Sequence, residues 1–474
     1  MIKHALKDRS KRQSATIFPT KAIAISTLIL FLSSSLRHAL FQSSFDLAIF
    51  DNAIYLISQG QTPFVTFRNL HILGDHAAFI VYPLAFFYRI HPDVHWLFFI
   101  QALSLTSAAI PLWYLSRATG LSRSQSRTVA VAYLLYPAIF NINLFDFHPE
   151  VIAVPAIFGA ILAVKLDRMG WFIAAVILIL SCKAVLALTV VGIGLWLIIS
   201  SKYRYIYGII AIGLGCAWLA IATQLIIPAF SGAEAAAVDR YGYLGDSVLD
   251  IAKNLLIRPN LVLQKIFSGS SLGYLFLLFI PVGWGLAPQQ LMPIIGASPI
   301  LLINLLSESS AQRNLVHQYS LPIIPWLFLI VALSLSNKQA WIKNQRRIVI
   351  WSIVAFLALA KYGYFGSIYW QNIDTWSATN KAIALVSDRG GVLTTSDIAS
   401  HLTHRQLLKL TTQDFTPEEL QKFDNVLLNL RHPGWGSSPE IAEAIFAKLK
   451  QESLFQLKFQ QDDVFFFTRV TKNS

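Results

Sequence analysis

The sequence predicts an α-helical membrane protein with many transmembrane helices, followed by a small α/β domain near the C-terminus. Of its 474 residues, 55% are hydrophobic and only 13% are charged, whereas soluble domains usually carry about 25% charged residues. This deficit argues against a soluble enzyme, a disordered protein and a nucleic-acid-binding protein, although the formal net charge is +13. Excess Lys and Arg in so apolar a chain is typical of basic loops that face anionic lipid.

Eleven apolar segments predict transmembrane helices, because a bilayer core needs roughly 20 apolar residues per helix. The first segment follows a basic stretch, residues 1–21, and lacks the small-residue cleavage site of a signal peptide, so we expect an uncleaved span. The two segments around Lys183 are short, and we expect a hairpin there because basic loops flank the pair on both sides. The predicted spans are residues 22–40, 95–115, 128–144, 151–165, 171–182, 184–200, 205–229, 271–287, 291–306, 319–335 and 347–366.

The distribution of basic residues sets the predicted orientation. Seventeen Lys and Arg lie in the segments predicted to face the cytoplasm, against eight in the longer loops predicted to face outward. Cytoplasmic loops of membrane proteins usually carry this excess. Residues 1–21 are therefore predicted to be cytoplasmic, and residues 22–366 to form a transmembrane domain whose first outer loop is 41–94. Most acidic residues of these two regions then fall on the outer face, so we expect the polar chemistry there.

The last part of the chain, residues 367–474, is richer in charged residues and alternates short apolar strands with one helical stretch. The pattern predicts strands at 392–393, 425–430, 454–459 and 464–469, and a helix at 438–451. This part, called the tail below, is therefore predicted to be a small extracytoplasmic α/β domain. Because it lies far from the acidic loops, we expect it to be a lid or scaffold rather than a catalyst.

The first outer loop predicts two helices that lie along the membrane interface. Apolar residues in 45–57 have helical spacing, and Asp46 stands at the start of this helix, where it fits either a helix cap or a catalytic carboxylate. Asp51 lies about 140° further around the helix, so we expect it to be solvated. The segment 77–90 predicts a second helix, with Asp75 and His76 at its N-terminus.

A second acidic motif, FDFHPE at 145–150, lies between the third and fourth predicted spans. Pro149 and Glu150 fit the first turn of the next helix, but helix capping does not explain a His between two acids. The two cysteines of the chain lack metal-ligand spacing. The hard and imidazole ligands that a divalent metal ion would use, if the protein needs one, are Asp75, His76, Asp146, His148 and Glu150.

Three cationic or ionisable residues complete the predicted outer face, and they suit the phosphate of a lipid. Lys183 interrupts an apolar hairpin, where a charge indicates either function or snorkelling. Arg313 and His317 precede the tenth span, with Tyr319 close by. If these residues do not bind the phosphate, Arg240 is the next candidate. Arg37 and Lys361 lie near span ends, where snorkelling is the ordinary explanation.

The order of these features resembles the GT-C superfamily, polytopic glycosyltransferases that take sugars from polyprenyl-phosphate carriers. The motifs FDLAIFDNAIY, GDH, LFDFHPE and HQYSLP, with Ser400-His401-Leu402 and Arg405 in the tail, are similar to an uncharacterised family of bacterial membrane proteins related to that superfamily. The resemblance implies that Asp46 is the catalytic carboxylate and that Asp146, with His148 and Glu150, occupies the second acidic position. The superfamily often has a paired acid at the first position, whereas here Asp46 is followed by Leu47.

The resemblance implies a glycosyltransferase of the bacterial inner membrane whose partners are a polyprenyl-phosphate-linked sugar and membrane lipid. Asp46 would deprotonate the acceptor as it attacks the anomeric carbon, while cations or a metal ion stabilise the departing phosphate. A transporter or lipid flippase is one alternative, although transporters place ionisable groups near the membrane midplane and often contain inverted repeats. A non-catalytic assembly protein is the other, and it would be favoured if the acidic residues of the loops prove dispensable.

Overall fold

The computed structural model describes residues 9–43, 45–200, 204–232, 236–451 and 453–470. Parts of two segments predicted to be cytoplasmic, residues 1–8 and 201–203, lie outside this range. The described residues form a bundle of helices followed by a small domain built on one β-sheet. The helices are α1 (Arg9–Ala39), α2 (Phe45–Ser58), α3 (Ile72–His76), α4 (Val81–Ile90), α5 (His95–Ser107), α6 (Ala109–Ala118), α7 (Arg123–Leu134), α8 (Pro137–Leu144), α9 (Glu150–Lys165), α10 (Met169–Cys182), α11 (Ala187–Ser200), α12 (Tyr205–Ile221), α13 (Ile227–Ser231), α14 (Val248–Ile257), α15 (Pro259–Ile266), α16 (Gly269–Phe279), α17 (Ile294–Leu306), α18 (Ile324–Ser336), α19 (Gln345–Leu359), α20 (Ile373–Ile383), α21 (Ser396–Ala399), α22 (Pro417–Leu420) and α23 (Pro439–Gln451).

Each predicted span coincides with a helix or with a helix broken near its middle. The predicted span 128–144 is broken before Pro137, because proline forces the preceding Tyr136 into an extended conformation. By length and composition, four helical segments of the described residues can cross a membrane, or six if each of two bent pairs is one span. Three shorter apolar helices, at Met169–Cys182, Ala184–Ser200 and Ile294–Leu306, accompany them. The chain is therefore a polytopic helical membrane protein, as its composition predicts.

The loop 40–94 contains the two expected helices, α2 and α4, which pack together around a buried apolar cluster that includes Leu47, Tyr88 and Phe147. The expected position of Asp75 and His76 at the start of the second helix is wrong. They end a separate short helix, α3, because Ala77 adopts a left-handed conformation (φ 50°, ψ 43°) that stops it.

The tail contains a five-stranded sheet with the strand order β4-β3-β5-β7-β6. β3 pairs in parallel with β4 and β5, whereas β7 pairs antiparallel with β5 and β6. All predicted strands and the predicted helix are present, while β4 and α20 were not expected. A two-stranded hairpin, β1 and β2, lies in the loop 40–94. The strands are β1 (Phe64–Val65), β2 (Leu70–His71), β3 (Val392–Thr394), β4 (Leu408–Leu410), β5 (Asn425–Asn429), β6 (Phe455–Gln461) and β7 (Val464–Arg469).

The tail packs directly on α2, so the expectation that it lies far from the acidic loops is wrong. The side-chain amide of Asn52 donates to the backbone carbonyls of Thr403 at 2.6 Å and Arg405 at 2.9 Å. Asp51, expected to be solvated, is 1% exposed and accepts hydrogen bonds from the hydroxyls of Tyr88 and Thr403. The rotation that separates Asp51 from Asp46 on α2 turns Asp51 toward the tail, and its partners there replace water.

Candidate active site

The candidate site is built around Asp46, in the first turn of α2. The Nε2 atom of His148 lies 3.4 Å from Oδ2 of Asp46, and the two side chains are 4% and 38% exposed, respectively. His148 lies in the short link between α8 and α9, so the two predicted acidic motifs meet here. A half-exposed carboxylate next to a buried imidazole is open to a substrate on one side and held by the protein on the other.

The orientation of the His148 ring is fixed by its other nitrogen and by an aromatic neighbour. Nδ1 lies 2.9 Å from the backbone carbonyl of Asp146. A carbonyl only accepts, so Nδ1 carries the proton of this bond and Nε2 faces Asp46. The ring stacks on Phe145 with the two centroids 5.2 Å apart. The imidazole therefore has one defined orientation toward the carboxylate.

Asp46 and His148 favour opposite charges on each other. Burial opposes ionisation of both groups, but the hydrogen bond and the attraction between them outweigh it. The pKa of Asp46 accordingly falls to about 2, and the pKa of His148 rises above its ordinary value. The two shifts agree in direction, so Asp46 is a carboxylate at neutral pH.

Asp146 is turned away from solvent and organises the backbone around Asp46. Its carboxylate forms an ion pair with Arg37 at 2.8 Å and accepts a hydrogen bond from the backbone N–H of Leu47 at 3.1 Å. Arg37 was expected to snorkel to the membrane surface, but it is only 9% exposed. Asp146 thus joins the end of α1 to the first turn of α2, which carries Asp46.

Glu150 and Lys183 form a second pair, with Nζ of Lys183 2.7 Å from Oε1 of Glu150. Glu150 is the first residue of α9, and Lys183 is the extended residue that separates α10 from the next helical turn. Both are buried. Within the described residues, Oε2 of Glu150 has no hydrogen-bond partner.

Asp75 and His76 lie close to the Glu150–Lys183 pair and extend the charged region. Nε2 of His76 lies 3.5 Å from Oδ2 of Asp75. Burial lowers the pKa of His76 to about 4, although Asp75 opposes this shift. Lys183, Glu150 and Arg240 are the other charges close enough to act on His76. His76 is therefore neutral at pH 7 and faces the same region as Lys183.

Arg240, the reserve candidate, contacts Tyr319. Its guanidinium donates to the Tyr319 hydroxyl at 3.1 Å and lies 5.3 Å from the centroid of that ring. Lys183 is also close enough to Tyr319 for an electrostatic interaction. The sequence offered only a basic residue in a loop as a signal for Arg240, which is why it ranked behind the others.

Arg313 and His317 are placed differently from each other. The guanidinium of Arg313 donates to the carbonyl of Ser307 in its own loop. The ring of His317 contacts Phe145, with the centroids 4.4 Å apart, and its Nδ1 lies 2.9 Å from Oδ1 of Asn314. His317 therefore borders the aromatic residue on which His148 stacks, while Arg313 bonds to its own loop.

The residues suggested for a divalent metal ion do not form a metal-binding group. No three His, Cys, Asp or Glu side chains among the described residues are placed to hold a metal ion. Asp146 is occupied by Arg37, and Glu150 by Lys183. Cationic side chains are the positive charges that this site offers to a phosphate.

The chain resembles two crystal structures of ArnT from Cupriavidus metallidurans. With the structure bound to undecaprenyl phosphate, the TM-score is 0.55 at 12% identity, over 96% of this chain and 98% of ArnT. With the apo structure, the TM-score is 0.57 at 12% identity, over 97% and 98%. The GT-C-like fold expected from the sequence is thereby confirmed. At this identity the likeness concerns the fold alone.

The comparison of sequences places the chain in a family. No curated protein matches it. The family described as predicted membrane protein (DUF2079) matches residues 37–466, from the end of α1 to the last strand of the tail. Because this match covers most of its length, the chain belongs to the DUF2079 family of membrane proteins.

Proposed function

We propose that the protein is a membrane glycosyltransferase that moves a sugar from a polyprenyl-phosphate carrier to an acceptor hydroxyl. The observation that carries the proposal is the half-exposed Asp46 carboxylate, held by His148 at the end of the bundle where Lys183 and Arg240 also lie. The shared fold with ArnT, which has been crystallised with undecaprenyl phosphate, supports a lipid-phosphate donor. The excess of basic residues at the opposite end supports an extracytoplasmic site in the inner membrane.

The reaction is a direct displacement. The acceptor oxygen bonds to the anomeric carbon of the sugar, the bond from that carbon to the carrier phosphate breaks, and the phosphate leaves with the electron pair. The acceptor proton passes to Asp46. With a pKa of about 2, Asp46 is ionised at neutral pH but is a weak base, so it accepts the proton only once the new bond has made the acceptor oxygen acidic.

The leaving phosphate needs positive charge and hydrogen-bond donors. Lys183 supplies a compact charge, Arg240 a planar fork of N–H donors, and Tyr319 a hydroxyl. Glu150 holds the ammonium of Lys183 in place. The Glu150 carboxylate also offsets part of the positive charge that Lys183 presents to the phosphate. These groups stabilise the charge that develops on the phosphate as the bond breaks.

The first test is Asp46→Asn, assayed by transfer from a polyprenyl-phosphate sugar in nanodiscs. Asn keeps nearly the same shape and hydrogen-bonding ability but cannot accept the proton. We expect the transfer rate to fall by about a hundredfold or more, with the protein still folded, although the loss of the charge that pairs with His148 lowers its thermal stability. The matched control is Asp93→Asn, since Asp93 is a partly exposed carboxylate of the same loop that pairs with His95. Equal rates for the Asp46→Asn variant and the wild type would refute the role of Asp46.

A further inference from the structure

Trp435 is the most exposed large apolar side chain among the described residues, with 86% of its surface accessible. It stands at the tip of a short loop of the tail, between Gly434 and Gly436. Burial of an indole surface contributes a favourable free energy of roughly 25 cal/mol for each Å² removed from water. One exposed indole needs no explanation by itself, but an indole that adjoins other aromatic side chains forms a surface that can bind a ligand.

The loop holds the indole on a fixed base. At one end, the backbone N–H of His432 donates to Oδ1 of Asn429 at 2.9 Å. At the other end, the hydroxyl of Ser437 accepts from the backbone N–H of Ser396 at 3.0 Å. Gly434 has φ +87°, and a Cβ at this position would lie 2.1 Å from Oδ1 of Asp397. The backbone is thus pressed against the tail, and only the indole projects.

The exposed indole lies next to Phe45, the residue that precedes the candidate catalytic carboxylate. The Trp435 ring is 6.4 Å from the ring of Phe45, centroid to centroid, and Phe45 directly precedes Asp46. Phe45 also contacts Phe67 at 5.3 Å, and the guanidinium of Arg68 lies 5.4 Å from the Phe45 ring. An aromatic surface with a guanidinium at its edge therefore borders the first turn of α2.

We infer that Trp435 is the platform of an acceptor subsite and that the acceptor is a saccharide. This inference rests on the proposed function. One face of a sugar ring is a sheet of C–H groups that packs on an indole, while its hydroxyls remain free for donors such as Arg68. A saccharide stacked on Trp435 holds a hydroxyl beside Asp46. The transmembrane helices already anchor the chain, so the indole is not required to hold the protein in the membrane.

The test is binding of purified full-length protein in nanodiscs to an array of neutral oligosaccharides built from glucose, galactose, mannose and N-acetylglucosamine. We expect the wild type to retain a subset of them, Trp435→Ala to weaken retention about tenfold or more, and Trp435→Phe to restore most of it. The matched control is Trp171→Ala, because Trp171 is also exposed, at 76%, but lies in the first turn of α10, at the end far from Lys183. Its retention should equal that of the wild type.

Different failures have different meanings. If the wild type retains no oligosaccharide, or if Trp435→Ala retains them as well as the wild type does, the saccharide subsite is refuted. In that case, normal sugar transfer by the wild type would leave the proposed function standing. Retention that depends on Trp435 in a protein that transfers no sugar would refute the proposed function instead. Asp46→Asn should retain oligosaccharides and lose transfer.

Discussion

At the scale of single residues, His148 determines the basicity of Asp46. Burial alone would raise the pKa of Asp46, and the hydrogen bond and charge of His148 reverse that effect. In His148→Gln the positive charge is lost, so we expect the pKa of Asp46 to rise and the acidic limb of the transfer rate to move to higher pH. The rate is measured against pH for both proteins, with His91→Gln as the control, because the exposed His91 pairs with Asp93. An unchanged acidic limb would show that Asp46 does not govern it.

Single residues also show where sequence reasoning stopped. Asp46 and His148 could be singled out because acids and a histidine near span ends are uncommon in so apolar a chain. Their contact could not be predicted, because it depends on how α2 packs against the link between α8 and α9. The burial of Asp51 could not be predicted for the same reason, because it depends on a distant contact. Its helical position was known, but its partner Thr403 is 352 residues away, so its burial could not be read locally.

At the scale of elements, the Glu150–Lys183 pair joins the start of α9 to the α10–α11 turn. Removing one partner of a buried ion pair costs about 3–5 kcal/mol, since the other charge is left unpaired. We therefore expect Lys183→Met to lower the unfolding temperature, and the double variant Glu150→Gln with Lys183→Met to recover much of it. Thermal unfolding in nanodiscs measures both. If the double variant is as unstable as the single one, the pair does not stabilise the fold as the geometry implies.

The double variant also isolates the role of Lys183 in binding. If Lys183 contacts the carrier phosphate, the folded double variant should bind undecaprenyl phosphate about tenfold more weakly, as expected for the loss of a charge-assisted hydrogen bond. Arg313→Met is the control, because Arg313 donates to the carbonyl of Ser307 in its own loop. Equal affinity of the double variant and the wild type would remove Lys183 from the phosphate site.

The prediction of helices and strands was correct where the hydrophobic pattern alone determines the structure. The long apolar segments and the short apolar strands of the tail were found because buried elements require runs of apolar residues. The helices α14 and α15 were missed within a segment predicted as a loop. Their apolar residues, including Leu249, Leu256 and Leu263, are exposed in the protein. Neither helix is long enough to span a membrane, so a search for apolar spans passes over them.

At the scale of the whole molecule, the tail is held on the bundle by a pair that depends on pH. Nε2 of His404 lies 3.3 Å from the buried Asp51 carboxylate. Burial lowers the pKa of His404, but Asp51 outweighs burial and raises it above the ordinary value of 6.5. A raised pKa stabilises the folded state below 6.5, and this contribution is lost as the pH rises through the folded pKa.

We therefore expect the tail to be released more easily as the pH rises above 6.5 through the folded-state pKa of His404. Limited proteolysis of the tail at several pH values measures this, and His404→Gln should make cleavage less dependent on pH. His401 does not interfere, because burial lowers its pKa to about 4 and it stays neutral in that range. Cleavage that is equally fast at every pH in the wild type would contradict the expected role of the pair.

The contact between α2 and the tail also has a consequence for biosynthesis. Asn52 bonds to the carbonyls of Thr403 and Arg405, which lie 351 and 353 residues later in the chain. At roughly 5–20 residues per second, a ribosome needs about 20 to 70 s to cover that interval. During this time Asn52 and Asp51 have no partners from the tail, and burying an unpaired polar group costs free energy. Closure of this contact thus marks a chain that has been synthesised beyond Arg405, and proteins truncated before Thr403 remain distinguishable to proteases.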